Sequence, residues 1–257
     1  MYLASKSGKR LILGLSALIT IVAIPAIAIG RQDEPKDDNS PPMPVPNVKG
    51  IKVLFSGKAE ELANNFQHLS GTPPKWIMKP DGAFEVLPGS GDVGTKEKFQ
   101  DYQMHLEFKV PYMPDKKGQA RGNSGVFQQS RYEVQLLDSY GFESPGMGDC
   151  GAIYNKSAPL VNACKPPKQW QTYDITFRSA RLDADGKVTE PARITVIQNG
   201  ITVQNNTQII GVTGASEDTK EGTPGRIRLQ DHGNKMQFRN FWILPLPEKG
   251  SSTYEPH

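Results

Sequence analysis

The sequence predicts an all-β sandwich, and three observations support this fold class. Several segments alternate apolar and polar residues, most clearly residues 101–111, as a half-buried antiparallel strand does. Turn-forming residues separate these segments, and Asn199-Gly200 suits the type I′ turn of a two-residue hairpin. Only one short segment, residues 59–66, has a helical pattern. Many short strands joined by Gly- and Pro-rich turns favour a sandwich over a Rossmann fold or an α/β barrel.

The predicted strands follow one another closely along the chain. A first hairpin turns at Pro80-Asp81-Gly82, and a polar loop at 112–123 precedes a central pair of strands. Residues 139–168 form a Gly- and Pro-rich loop, and loops of this length are either functional or disordered. In chain order, the predicted strands are residues 75–78, 83–87, 101–111, 124–128, 132–138, 172–178, 192–198, 201–204, 227–231 and 237–244.

The N-terminus has the features of an export signal. Three basic residues precede an uncharged apolar run from Leu11 to Gly30, and Ala26-Ile27-Ala28 fits a small-x-small cleavage site. We therefore expect residues 1–28 to be a signal peptide and the protein to be periplasmic or secreted. The apolar run is also long enough to span a bilayer. An uncleaved anchor is the alternative, and it is the only membrane contact that the sequence predicts.

The rest of the chain divides into a linker, one domain and a tail. Residues 29–50 are acidic and Pro-rich, which predicts a disordered or semi-extended tether. Residues 51–246 are long enough for a single large β-sandwich core. Residues 247–257 are expected to be a flexible tail.

The charge of the chain gives no support for a nucleic-acid partner. The chain has 30 basic and 27 acidic residues, and three of the basic ones, Lys6, Lys9 and Arg10, lie in the predicted signal. The mature chain is therefore neutral, whereas nucleic-acid binding requires a basic patch or stripe.

The chain has two cysteines, Cys150 and Cys164. An even pair in an exported protein predicts a disulfide. A loop of about 15 residues closed by this bond would stabilise the fold by roughly 3 kcal/mol in the chain-entropy model. Two cysteines alone make a poor structural zinc site.

Residues 132–138, Tyr-Glu-Val-Gln-Leu-Leu-Asp, have the pattern of a strand with a functional face. Glu133 and Gln135 point to the same side because side chains alternate along a strand. The two leucines that follow break the alternation, and a β-bulge there would return Asp138 to the side of Glu133. The segment would then carry a row of carboxylate, amide and carboxylate. The alternative is an ordinary solvent-facing strand that ends at the leucines.

Six motifs, in order along the chain, carry a family resemblance. They are Leu54-Phe55-Ser56-Gly57-Lys58, Gly122-Asn123-Ser124-Gly125-Val126-Phe127, the segment 132–138, Gly151-Ala152-Ile153-Tyr154, Trp170-Gln171-Thr172-Tyr173-Asp174-Ile175, and Leu229-Gln230-Asp231-His232-Gly233 followed by Phe238-Arg239-Asn240. With these motifs, the stretch from about residue 51 to 246 resembles the 3-keto-disaccharide hydrolase family.

The resemblance implies a concanavalin-A-like jelly roll of two curved antiparallel sheets, with a sugar groove on the concave face. It also implies cleavage of glycosides that carry a ketone at C3 of the sugar. The ketone acidifies the hydrogen on C2, so a base can remove it, the enolate can expel the glycosidic oxygen from C1, and water can then add. Such a site requires a base near C2, an acid for the leaving oxygen, and donors or a metal at the ketone oxygen.

Glu133, His232 and Asp138 are the catalytic candidates. Glu133 is the first choice for the general base or acid. Asp138 is either a second acid/base or the cap of the turn at 139–141. His232, at a hairpin end, is a candidate to protonate the leaving oxygen, with a plain turn residue as the alternative. The sequence requires no cofactor; these three side chains could hold a divalent metal, but no spacing demands one.

Six further residues are candidates for sugar binding: Asn123, Gln135, Tyr154, Lys165, Gln230 and Arg239. Asn123 and Gln135 would present amides, and Tyr154 would stack on a pyranose ring. A turn role for Asn123 and simple packing for Tyr154 are the alternatives. Arg239 would hold an oxyanion, although pairing with a carboxylate of the sheet is slightly favoured. His105 lies on the polar face of its strand, where exposure is the default expectation.

The sequence therefore predicts an exported jelly-roll enzyme that cleaves 3-keto glycosides by acid/base chemistry. A lectin-like carbohydrate-binding module is the second hypothesis, since a lectin requires the groove but no acid/base pair. An anchored surface scaffold is the third, and the Pro-rich tether is its only support.

Overall fold

Two antiparallel sheets account for most of the regular structure in residues 34–249, the part of the chain that this computed structural model describes. The predicted signal peptide and most of the predicted C-terminal tail lie outside these residues. Within residues 34–249, no helix is long and apolar enough to cross a membrane.

The elements agree closely with the predicted ones, with several short strands added. A short 3-10 helix, Gly118–Ala120, precedes the central strand pair. The remaining elements are β1 Lys52–Phe55, α1 Ala59–Asn65, β2 Phe66–His68, β3 Ile77–Met78, β4 Phe84–Glu85, β5 Val93–Thr95, β6 Tyr102–Lys109, β7 Ser124–Gln128, β8 Tyr132–Leu136, β9 Trp170–Arg178, β10 Arg181–Leu182, β11 Val188–Glu190, β12 Ala192–Gln198, β13 Ile201–Ile209, β14 Arg228–Leu229 and β15 Gln237–Pro245.

The strands pair into a jelly-roll sandwich, which confirms the predicted fold class. The larger sheet has the order β13-β12-β9-β6-β15-β4-β3, with β1 also paired to β15. The smaller sheet has the order β2-β5-β14-β7-β8, and β10 and β11 form a separate ribbon. The Asn199-Gly200 turn joins β12 to β13, and both residues have positive φ, as a type I′ turn requires.

The core lies between the two sheets and follows from the alternation of β6 and β8. From β6, Tyr102, Met104, Leu106 and Phe108 are fully buried in it. From β8, the buried residues are Tyr132, Val134 and Leu136. The side chains between them point away from the core, so Glu133 and Gln135 lie on the open face of the smaller sheet.

Alternation in residues 101–111 predicted that the polar face of this strand is exposed to solvent. Residues 34–43 instead cover part of that outer face of the larger sheet. We call these residues the strap. The Met43 N–H donates to Glu107 Oε1 at 2.7 Å, and the Arg239 guanidinium donates to the main-chain oxygens of Ser40 and Pro41. Asp38 accepts from the Trp170 N–H at 3.1 Å. The prediction of a disordered or semi-extended tether at 29–50 did not include these contacts, in which the main chain of the strap provides partners for buried charges.

Beneath and beside the strap lies a buried ionic cluster. Arg239 Nε donates to Glu107 Oε2 at 2.7 Å, and Asn240 Nδ2 donates to Glu107 Oε1 at 2.7 Å. His105 is buried, stacks on Trp242 and contacts Asp174 Oδ1 through Nδ1 at 2.7 Å. The expected exposure of His105 is thus wrong, since these partners allow the ring to be buried.

The charges in this cluster hold each other in the ionised state. Burial alone would lower the pKa of His105, but Asp174 and Glu107 outweigh it and raise that pKa to about 9. Burial alone would raise the pKa of Glu107, but His105 and the donors from Asn240, Met43 and Arg239 lower it to about 2. The cluster and the strap therefore form one electrostatic unit.

Candidate active site

A pocket of about 210 Å³ opens on the outer face of the smaller sheet. Strand β8 provides its floor, and the segments that precede β7 and follow β8, β13 and β14 provide its walls. Its lining consists of Gln119, Asn123, Glu133, Gln135, Tyr154, Gly214, Ala215, Gln230 and His232. The structure thus brings together six of the nine predicted site residues.

Glu133 lies at the floor of the pocket, and its side chain is almost completely buried. The side chain leans across β7 and lies over Gly125, where a β-carbon would overlap its carboxylate. Within residues 34–249, no hydrogen bond reaches that carboxylate. Burial raises the pKa of Glu133 to about 7, against the opposing charge of Arg228 and with a small contribution from Asp92. A carboxyl group in this state can act as a base or an acid near neutral pH.

Asn123 and Gln135 form a hydrogen-bonded amide pair beside Glu133, and both are buried. Gln135 Nε2 donates to Asn123 Oδ1 at 3.1 Å and to Gln119 Oε1 at 3.1 Å. Asn123 Nδ2 donates to both oxygens of Gln119, the main-chain oxygen at 2.8 Å and Oε1 at 3.0 Å. Gln135 Oε1 is buried without a partner, so it is a ready acceptor for a donor on a ligand.

Gln230, His232 and Tyr154 complete the polar wall. Gln230 Oε1 is a second buried acceptor without a partner. His232 is exposed at the mouth of the pocket. The carboxylate of the neighbouring Asp231 accepts from the main-chain N–H groups of Gly91 and Gly233, so it stabilises the turn. Tyr154 is half-buried, and its main-chain N–H donates to the main-chain oxygen of Glu133.

Asp138 does not lie in the pocket, so its prediction as a catalytic residue is not supported by its position. The predicted bulge is absent: β7 and β8 pair without a register shift, and β8 ends at Leu136. Asp138 instead forms an ion pair with Arg121 Nε at 2.6 Å and accepts a weak bond from the Tyr140 N–H at 3.4 Å. The alternative prediction, a residue that caps the following turn, agrees better with these contacts.

Lys165 and Arg239 also lie outside the pocket. Lys165 Nζ donates to the Trp170 main-chain oxygen at 3.0 Å, because the loop that carries it turns back towards β9. Arg239 belongs to the larger sheet and pairs with Glu107, as the favoured alternative predicted. A bulge at Asn240, where β15 shifts register against β6, allows Arg239 and Asn240 to reach the same carboxylate.

The predicted disulfide between Cys150 and Cys164 is not formed, and both thiols are free. The two residues are nevertheless neighbours, since Gln198 Nε2 lies 3.5 Å from one sulfur and 3.4 Å from the other. Cys150 also contacts the Tyr173 hydroxyl, which donates to the Gln135 main-chain oxygen at 2.6 Å. Polar partners therefore satisfy a pair that the sequence predicted to be bonded.

Gln119, Arg228 and the wall at Gly214-Ala215 are not among the predicted site residues. Arg228 is buried, and its guanidinium lies 3.6 Å from the centre of the Phe127 ring. Its Nε is 3.5 Å from Asp92 Oδ2 and has no hydrogen-bond partner. Alternation along residues 228–230 could have placed Arg228 on the same face as Gln230. No local pattern marks Gln119, which lies in a polar loop.

The pocket does not resemble a carboxylate-rich metal centre. Across residues 34–249, no three His, Cys, Asp or Glu side chains come together as a group that could hold a metal ion. The proposed trio of Glu133, Asp138 and His232 is not assembled, because Asp138 pairs with Arg121. The donors in the pocket are mainly amides.

The fold and the pocket place this chain among β-sandwich proteins that carry a polar site on one sheet. It belongs to the family described as the 3-keto-alpha-glucoside-1,2-lyase-like domain, whose model matches residues 50–244. This confirms the resemblance that the six motifs indicated. A search of curated proteins found no match.

Two solved structures from Parabacteroides distasonis ATCC 8503, each named a "putative glycosyl hydrolase", are similar to the chain. One is 37% identical with a TM-score of 0.69, and the similarity covers 79% of this chain and 93% of that one. The other is 20% identical with a TM-score of 0.59, covering 77% and 95%. The second likeness shows the fold alone. Together, the family and the first structure support a carbohydrate-active function.

Proposed function

We propose that the protein cleaves glycosides oxidised at C3 of the sugar, by elimination and hydration, with Glu133 as the base at C2. The observation that carries this proposal is the buried Glu133 carboxylate, which no hydrogen bond reaches within the described residues and whose pKa is about 7. Such a group removes a weakly acidic C–H proton at neutral pH better than an ordinary exposed carboxylate, whose basicity is low. The family to which the chain belongs supports the choice of substrate.

The volume of the pocket agrees with one sugar ring as the bound part of the substrate. The 210 Å³ would hold about seven waters at the volume that each takes in the liquid, which is close to the space of one hexose. The second sugar or other leaving group would then lie outside, beside the exposed His232. The amides of Asn123, Gln135 and Gln230 would contact the ring oxygens.

In the first half of the reaction, Glu133 takes the proton from C2 and the electron pair moves to the C3 oxygen as an enolate. The enolate then re-forms the ketone and expels the leaving oxygen from C1. His232, at the mouth of the pocket, donates the proton that this oxygen requires. The product left in the pocket is an enone with a double bond between C1 and C2.

In the second half, water adds to C1 and C2 must be protonated again. Glu133 carries a proton after the first half and exchanges it with solvent while the leaving group departs, so it delivers a solvent proton to C2. The proton that water loses when its oxygen bonds to C1 returns to His232. The sum of both halves is hydrolysis, and both Glu133 and His232 end in their starting states. A pKa of about 7 suits a group that must act in both directions.

The test follows turnover of a 3-keto disaccharide and of the same disaccharide without the ketone, in D₂O, by mass and by the ultraviolet absorbance of the enone. We expect cleavage of the 3-keto substrate only, with deuterium at C2 of the product. Glu133→Gln should lower kcat/KM by about 100-fold or more. Glu60→Gln is the matched control, because Glu60 is an exposed carboxylate on α1 far along the chain from the pocket residues.

Two outcomes would defeat the proposal. Equal cleavage of both disaccharides without deuterium at C2 would indicate ordinary hydrolysis. Sugar binding without turnover, unchanged by Glu133→Gln, would indicate a lectin-like module.

We further propose that the protein is exported, with cleavage after Ala28. The support is the basic, apolar and small-x-small pattern of the N-terminus. N-terminal sequencing of the protein recovered from cell fractions tests this, since an intact Met1 in the membrane fraction would indicate an anchor instead.

A further inference from the structure

Gln119 places its side-chain oxygen at a point where two amide donors converge. Asn123 Nδ2 lies 3.0 Å and Gln135 Nε2 lies 3.1 Å from Gln119 Oε1. Two fixed N–H groups within about 2.7–3.1 Å of one oxygen are the arrangement that stabilises an oxyanion in enzymes. Here a side chain of the protein itself occupies the oxygen position.

We propose that Asn123 and Gln135 form a two-donor site for the C3 oxygen of the bound sugar, and that Gln119 closes this site in the free protein. The inference rests on the proposed function, because it assigns the group that stabilises the enolate. It adds a gating role for Gln119 and a specific atom of the substrate for the amide pair.

The orientation of all three amides follows from main-chain contacts. Gln119 Nε2 donates to the Gly148 oxygen at 2.7 Å, so the other atom of this amide must be the acceptor Oε1. Asn123 Nδ2 donates to the Gln119 main-chain oxygen, so Asn123 Oδ1 is free to accept from Gln135. The two donors therefore point at Gln119 Oε1 by a consistent network.

Asn123 and Gln135 keep their orientation when the Gln119 side chain moves out of the site. Each amide nitrogen carries two hydrogens. Gln135 Nε2 keeps its bond to Asn123 Oδ1, and Asn123 Nδ2 keeps its bond to the Gln119 main-chain oxygen. One N–H of each residue is then released, and both still point to the same place. A ligand oxygen can therefore replace Gln119 Oε1 without rearrangement of the floor.

The side chain of Gln119 can change its rotamer more easily than those of Asn123 and Gln135, because it is exposed and they are buried. Gln119 lies on a short 3-10 turn where Gly118 has a positive φ of 52° and nothing packs within 4 Å of its missing β-carbon. Opening therefore costs three hydrogen bonds of an exposed side chain, which water and ligand can replace.

The position of the site fits the proposed chemistry. Glu133 and Gln135 are two residues apart on β8, so their side chains lie about 7 Å apart on one face. In a 3-keto sugar, C2 and the C3 oxygen are separated by a single carbon, so a base and a donor at this spacing can contact both at once. Gln135 Oε1, buried without a partner, then accepts from a neighbouring hydroxyl of the same sugar.

The test measures binding in the Glu133→Gln background, where the substrate is not consumed, by calorimetry with 3-keto-glucose and with 3-deoxyglucose. The variants are Gln119→Ala, which opens the site, and Lys117→Ala, a control on the same exposed segment. We expect Gln119→Ala to lower the Kd of 3-keto-glucose by about two- to tenfold. The reason is that the ligand then no longer has to break the one or two hydrogen bonds by which Gln119 Oε1 occupies the site. The Kd of 3-deoxyglucose, which has no C3 oxygen, should not change.

A spectroscopic readout tests the donors directly. The ¹³C resonance of a C3-labelled ketone should move downfield on binding, because two hydrogen bonds polarise the carbonyl. Adding Gln135→Met, which removes the donor at similar volume, should reduce this shift. In the active enzyme, Gln135→Met alone should lower kcat by about 100-fold, as loss of one oxyanion donor does.

The outcomes separate this inference from the proposed function. An equal gain for both sugars, or weaker binding of both after Gln119→Ala, would overturn the two-donor site. Absence of the ketone shift would do the same, as would turnover that does not depend on Gln135. The expected binding results without any turnover would defeat the elimination mechanism and leave the two-donor site intact.

Discussion

The carboxylate of Glu133 lies directly over the α-carbon of Gly125, in the space that any larger residue would fill with its side chain. Gly125 pairs with Gln135 across the two strands, so Glu133 reaches it diagonally. The direction of the key carboxylate is thus set by the absence of a side chain on the neighbouring strand. Position 125 therefore affects the direction of the Glu133 carboxylate although it does not itself line the pocket.

Gly125→Ala should displace the Glu133 carboxylate and lower kcat/KM by about tenfold or more, because small misplacements of a reacting group are costly. Gly94→Ala is the matched control. Gly94 lies in a strand of the same sheet, and its added β-carbon would meet the flexible Arg226 side chain at 3.4 Å. Steady-state kinetics and thermal unfolding of both variants check this, and equal activity of the two would contradict the role of Gly125.

The rate should rise with pH through about 7, because Glu133 must be ionised to act as the base. At pH 5, two units below that pKa, only about one-hundredth of the groups are ionised. Asp92→Asn should move this limb of the kcat/KM profile to lower pH. It removes a negative charge that raises the pKa of Glu133, and it leaves Arg228 unpaired. A shift towards higher pH would show that Asp92 acts otherwise.

Glu133→Gln should make the protein more stable at high pH while it removes activity. Between pH 4.5 and about 7, the folded protein holds a proton on Glu133 that the unfolded chain releases, so wild-type stability falls as pH rises. At pH 8 the variant should gain about 1–3 kcal/mol, at 1.36 kcal/mol per unit of pKa. The gain should vanish below pH 4.5. Urea unfolding at pH 4 and pH 8 measures both values.

A chain that begins at residue 47 should be less stable than one that begins at residue 34, by about 2–4 kcal/mol, because Glu107, Arg239 and Asn240 lose their partners in the strap. Asn39→Ala in the longer chain is the control, since its exposed side chain makes no contact that these bonds require, and it should change stability by less than about 0.5 kcal/mol. Urea unfolding at pH 5.5 compares the three proteins.

The choice of pH 5.5 follows from the cluster. The lowered pKa of Glu107 gives stability that is complete above pH 4.5 and is lost as pH falls towards 2. The raised pKa of His105 gives stability that is complete below pH 6.5 and is lost as pH rises through 9. Both contributions are complete between these limits. Equal stability of the two chain lengths in this window would contradict a structural role for the strap.

Much of the fold follows from local pattern, because burial of alternate residues is what a strand in a sandwich requires. The same alternation placed Glu133 and Gln135 on one face, and the pocket contains both. The break at Leu136 was misinterpreted as a bulge, whereas the strand simply ends there. A bulge elsewhere, at Asn240, brings Arg239 and Asn240 together on Glu107, a partner more than 130 positions earlier that no local pattern shows.

The errors share a physical origin. Alternation in β6 identifies His105, Glu107 and Lys109 as polar, but it does not indicate what covers them. Glu107 and Lys109 contact the strap, whose Met43 lies 64 positions before Glu107. Trp242 and Asp174 cover His105. Gln119 was missed for a similar reason, since its importance depends on Asn123 and Gln135 turning towards it in three dimensions. Tertiary contacts that no local pattern shows decide both cases.

Because of the strap, the N-terminal limit of the family match differs from the N-terminal limit of the folded domain. The family model begins to match the chain at residue 50. The part that must be present for the ions of the larger sheet to be satisfied starts earlier, before Ser40. The family match and the folding unit thus have different N-terminal limits. A domain cut at residue 50 and fused to another protein would bury Glu107, Arg239 and Asn240 without their partners from the strap.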